Sequence, residues 1–154
     1  MTSSPAPPPS EEIWLSDRLL TVRRVAEGGT PAVMIHGLGG SSLNWTDLAH
    51  QMGGRLDSWA LDLPGFGASP PPRDGDYTPA GHARAVLDLI KERIGRPVHV
   101  FGNSMGGAIS VQLAARAPEW VRSVTMVSPA LPGGRLKKTN LHLPVVAVPG
   151  VGER

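Results

Sequence analysis

The sequence predicts an α/β fold on a mainly parallel sheet of five or six strands, flanked by helices. Three observations carry the prediction: short apolar runs without alternation, Gly-rich turns that close them, and helical stretches in between. The runs lie at residues 32–35, 58–63, 98–101 and 123–127. A strand covered on both faces buries every side chain, so its sequence shows no period of two. The order strand, helix, strand, repeated along the chain, suits right-handed crossovers.

The elements follow in order. Residues 1–12 read as a disordered Pro/Ser-rich tail, MTSSPAPPPSEE. Residues 13–25 are rich in β-branched and large apolar side chains around Asp17-Arg18, which suits one or two short strands or a hairpin ending at Gly28-Gly29. The run at 32–35 is closed by His36-Gly37-Leu38-Gly39-Gly40. A short helix is expected over 44–52, capped by Asn44 or Thr46. The next run, 58–63, stops at Pro64-Gly65-Phe66-Gly67.

Thr78-Pro79 pairs an N-cap with a proline at the first helical position. Ala83, Val86, Leu87, Ile90 and Ile94 then recur at helical spacing, with Arg84, Asp88, Lys91 and Glu92 opposite, as in a helix covering a sheet face. After the run at 98–101 the chain exits sharply through 102–107. Residues 108–117 are apolar nearly all round and predict a buried helix that Pro118 ends. Beyond Pro129 the pattern dissolves into Pro, Gly and basic residues. The main folded unit is therefore expected over 13–132.

Composition narrows the function. The net charge is +2, and the pairs Arg23-Arg24 and Lys137-Lys138 are too short to form a phosphate-binding stripe, so nucleic acid is not an expected partner. The chain has no cysteine, which removes disulfides, thiolate metal sites and cysteine nucleophiles. Residues 1–10 lack the basic and apolar regions of a signal peptide. No apolar run approaches the roughly 20 residues of a membrane helix. No membrane partner is expected, and the expected location is cytoplasmic.

The sharpest motif is Gly102-Asn103-Ser104-Met105-Gly106. A serine hydroxyl is a poor nucleophile unless it stands in the open near a base. A G-x-S-x-G turn between strand and helix holds it there in a strained backbone, and glycines two before and two after avoid collision. The helix that follows points its N-terminus at the site, where it favours developing negative charge. Acyl transfer also needs two N–H donors for an oxyanion. Met105, after the nucleophile, is placed to give one. Leu38, in the loop His36-Gly37-Leu38-Gly39-Gly40, is best placed to give the other.

Three segments in order, His36-Gly37, Asp62 to Ser69 and Gly102 to Gly107, resemble the α/β-hydrolase fold superfamily, over about residues 13–132. The form Gly-Asn-Ser-Met-Gly-Gly looks most like its esterase, thioesterase and carbon–carbon-bond hydrolase branches. The resemblance implies a serine hydrolase with Ser104 as nucleophile, a small acyl substrate and no metal or organic cofactor. It also implies that Asp62 and Ser69 are scaffold residues of a structural turn.

The resemblance also implies what this chain lacks. In that fold the acid and then the histidine follow the serine. Downstream of Ser104 stand only Glu119, in a Pro-Glu-Trp turn, Glu153, and one histidine, His142, where family members begin the cap. The expectation is an incomplete α/β-hydrolase core, with last strands and cap missing. Residues 133–154 would be the start of a cap or a frayed tail. Such a truncated or split sequence would be weakly active or inactive, and would self-associate through the exposed 123–127 edge.

Blander readings stand beside these. His36 suits a brace for the oxyanion loop better than a proton carrier. His50, His82 and His99 have no motif around them and suit surface or packing roles. Trp45 suits packing of the short helix against the sheet. Asp62-Leu63-Pro64-Gly65 also resembles a GTPase turn, but no G-x-x-x-x-G-K-[ST] exists here. The stronger rival is a non-catalytic domain that binds a small acyl ligand or a partner chain.

Overall fold

The computed structural model describes residues 5–130 apart from Glu27. Within them six strands form one sheet: β1 (Ser10–Trp14), β2 (Leu19–Ala26), β3 (Thr30–Ile35), β4 (Leu56–Leu61), β5 (Val98–Asn103) and β6 (Val121–Val127). Their spatial order is β1-β2-β4-β3-β5-β6. The pairs β3–β4, β3–β5 and β5–β6 are parallel, while β1–β2 and β2–β4 are antiparallel. The mainly parallel sheet is thus present, and of the arrangements left open for its start the hairpin β1–β2 is the one formed.

Strand limits differ from the sequence reading for physical reasons. β1 begins at Ser10, opposite Arg23, so pairing reaches three residues into the segment read as a tail. β4 begins at Leu56 because Leu56 and Asp57 pair with Thr30 and Pro31. Asp57 broke the apolar pattern, but Arg24 holds both its carboxylate oxygens at 2.9 Å.

Three α-helices flank the sheet: α1 (Thr46–Gln51), α2 (Pro79–Leu89) and α3 (Met105–Arg116). A 3-10 turn, Ser42–Trp45, precedes α1, and its cap is Ser41 rather than Asn44 or Thr46. Asn44 serves that cap from the third position, its Oδ1 accepting the Ser41 N–H at 2.9 Å. Thr78 caps α2 as its sequence suggests, its hydroxyl accepting the Gly81 N–H at 3.1 Å. A wider turn, Ile90–Ile94, prolongs α2 to a left-handed Gly95.

The two faces of the sheet make two cores. Val33 and Ile35 of β3 join Leu20, Val22, Leu61 and Val100 under α2 and α3, which add Val86, Leu89, Ile109 and Leu113. Met34, one residue out of phase, faces Val25, Ala60, Trp45 and Ala49 on the α1 side. Each buried Val, Leu, Ile or Met among them contributes about 1.5–3 kcal/mol. One expectation fails: α3 is not buried all round. Gly106, Gly107, Ile109, Ser110 and Leu113 face the sheet, but Val111 remains 39% exposed. An apolar sequence hides its own outward face, and no described element covers it. No described helix is long and apolar enough to cross a membrane.

Candidate active site

The carboxyl ends of β3 and β5 lie side by side, since Ile35 pairs with Gly102. The chain leaving β5 reaches Ser104 with φ 50° and ψ −113°, then enters α3 at Met105. A positive φ at a residue with a Cβ is strained, at a cost of about 1–3 kcal/mol. The surroundings hold it. Ser104 N–H donates to the Val127 carbonyl at 3.0 Å, and the Ser104 carbonyl accepts Gly107 N–H at 3.0 Å and Ala130 N–H at 2.9 Å.

The two glycines of the motif are required by contact. A Cβ at Gly102 would stand 2.4 Å from the Gly106 carbonyl oxygen and the Ser110 hydroxyl. One at Gly106 would stand 2.2 Å from the Ile35 carbonyl oxygen. The first turn of α3 therefore lies against the end of β3, which brings the Gly37 loop to the serine. A Cβ at Gly37 would be 3.2 Å from that of Ser104 and 3.0 Å from Asn103 Oδ1.

Among the described residues neither the Leu38 N–H nor the Met105 N–H has an acceptor. Met105 N–H is free because it opens a helix. Leu38 lies in a tight turn closed by Gly40 N–H on the Gly37 carbonyl at 3.1 Å, and its side chain is half exposed. A cleft of about 490 Å³ opens here, lined by residues 37–40, Asn44, Trp45, Asn103 and Val127. None of these carries a charge. A second cavity, about 270 Å³, lies among Trp14, Arg18 and Pro70 to Pro72, and none of the site residues lines it.

His36 is fully buried behind the loop. Its Nε2 accepts the Leu63 N–H at 3.1 Å, so Nδ1 carries the proton and donates to the Gly37 carbonyl at 2.7 Å. Burial holds its pKa below the ordinary value, with the Gly37 bond and Asp62 opposing. With both nitrogens engaged, His36 braces the loop and has no lone pair for Ser104. Asp62 is likewise scaffold: its oxygens accept Ser42 N–H at 2.6 Å and Ala68 N–H at 2.9 Å, and its carbonyl accepts the Ser69 hydroxyl at 2.6 Å.

Of the downstream acids, Glu119 sits exposed in the 3-10 turn Pro118–Trp120, past the far end of α3. Twelve helical residues separate it from Ser104, a span of about 18 Å. His142 and Glu153 lie outside the described residues, as does the segment 133–154. Among the described residues no three His, Asp or Glu side chains converge to hold a metal ion. His82 packs inside, His50 is half-buried, and His99 bonds the Ser123 hydroxyl at 2.7 Å. Trp45 packs on Phe101, ring centroids 6.5 Å apart, and also lines the cleft.

The sequence missed residues 127–130. The parallel register sets Val127 opposite Asn103, whose Nδ2 donates to its carbonyl at 3.2 Å. Pro129 then covers Gly107, where an added Cβ would be 2.6 Å away. Ser-Pro-Ala carries no pattern that would announce this.

Fold, elbow and loop define a class. The chain belongs to the alpha/beta hydrolase fold family, whose model matches residues 30–145. It is 36% identical over 118 residues to lipase 1 of Psychrobacter immobilis, covering 74% of this chain and 36% of the lipase. A membrane phospholipase A superposes with a TM-score of 0.74 at 32% identity, over 79% of this chain and 40% of that one. An N-acyl homoserine lactonase gives 0.71 at 29% identity, over 79% and 45%. The chain thus spans less than half the length of these relatives.

Proposed function

We propose that the chain is the nucleophile-bearing part of a serine hydrolase, transferring an acyl group to water from an ester, a thioester or a carbon–carbon bond next to a carbonyl. Ser104 is the nucleophile, and the Leu38 and Met105 N–H groups receive the oxyanion. The backbone of Ser104 carries the reading, because that strained conformation between strand and helix presents the hydroxyl at the carboxyl edge of the sheet. Two further observations support it: the free N–H groups and the uncharged cleft. The ester is favoured among the three substrates, since the lactone for which the lactonase is named is a cyclic ester. A cytoplasmic location belongs to the same proposal, to be read by cell fractionation.

The chain by itself is weakly active in this reading, because no described residue is placed as base or acid for Ser104. That feature favours a second reading, a domain that binds an acyl ligand or a partner chain without turnover. A fluorophosphonate probe separates the two. Slow labelling mapped to Ser104 and lost in Ser104→Ala supports the hydrolase. No adduct after long exposure leaves the binding domain.

A further inference from the structure

Two histidines lie behind the site with no part in that chemistry. His82, in the first turns of α2, is fully buried, and neither ring nitrogen has a hydrogen-bond partner among the described residues. Its ring packs on Phe66 at 5.8 Å and on Tyr77 at 6.0 Å between centroids. Phe66 packs in turn on His36 at 5.6 Å. One aromatic ring thus joins His82 to the histidine that ties the Gly37 loop to the Leu63 turn.

Only neutral imidazoles suit this arrangement. A proton on His36 Nε2 would set a donor against the Leu63 N–H, itself only a donor. His82 has no acceptor for a second N–H, and an unpaired buried charge is costly. The carboxylates that face the pair are already engaged. Asp62, toward His36, accepts Ser42 and Ala68 N–H, and Asp76, toward His82, holds Thr78 and Arg84. The one ionisable side chain of α3, Arg116, reaches the Ala80 carbonyl. Burial pushes both histidines below their ordinary pKa, and His36 lowers His82 further.

The geometry points to a two-histidine acid lock: the Gly37 loop and the Leu63 turn stay together while His36 and His82 are neutral, and protonation of the pair releases them. The lock does not depend on what Ser104 does. Its sign follows from linkage. Groups whose affinity for protons is depressed by folding take up more protons when unfolded. Stability is therefore full above about pH 6.5, the ordinary histidine value, and is lost as pH falls below it.

The test is urea unfolding of the whole chain from about pH 7.5 down to about 5.5, wild type against His82→Phe, which puts an uncharged ring in place of the imidazole. Each histidine held neutral makes the folded-to-unfolded ratio fall by a factor approaching about tenfold per pH unit below about 6.5. The wild-type ratio should fall more steeply than that of the variant by about one such factor. Amide exchange at Leu63 should open at higher pH in wild type than in His82→Phe, ahead of the sheet amide of Val100. Equal slopes in the two proteins would overturn the lock. So would a His82 ring proton that titrates near about pH 6.5 in the folded wild type, a reading that stands even if the variant fails to fold.

Discussion

Ser104 holds a backbone conformation that glycine enters freely, so at this residue position and stability are opposed. Ser104→Gly should raise the unfolding free energy read by urea titration, by about 1 kcal/mol after the entropy of the unfolded glycine is deducted, while removing any labelling. Gly102→Ala should do the reverse. Its Cβ meets a carbonyl oxygen and a hydroxyl at 2.4 Å, and relieving that contact costs about 1–3 kcal/mol. A Ser104→Gly variant less stable than wild type would show that the turn is unstrained. The roles of Gly102, Gly106 and His36 were legible in the sequence, because a tight turn and a buried brace restrict residue type. Those of Val127 and Ala130 were not. They act through backbone atoms, which every residue has.

The elements differ in how far pattern reaches. α2 announces itself through its cap, its proline and a mixed face that only one packing satisfies. α3 misled, since an apolar stretch fixes the helix but not which face is covered; Val111 shows the difference. β6 is the corresponding case in the sheet. Met126 and Val127 are 42% and 46% exposed, and β6 stands last in the strand order of the described residues. An unpaired apolar edge templates pairing with another chain. Sedimentation should therefore show mass rising with concentration for the wild type, and Met126→Lys should bring it down toward the monomer. A monomer at all concentrations would argue that the edge is protected.

For the whole molecule, the sequence order of three motifs translated into one site because parallel strands deliver their exits to the same edge of the sheet. Ile35 and Gly102 end side by side although 66 residues lie between them along the chain. What the sequence showed least of is the partner chemistry. His36 is committed to Gly37 and Leu63, and Glu119 stands past the far end of α3. Among the described residues none is placed to take the Ser104 proton.

The hydrolysis of p-nitrophenyl acetate by the wild-type chain and by Ser104→Ala tests that account most directly. An oxyanion hole and binding alone leave about 10³–10⁴-fold over water in serine hydrolases stripped of their triad. Turnover should be no greater than that, and changed little by Ser104→Ala. Strong turnover abolished by Ser104→Ala would contradict it, by showing that a base reaches the serine.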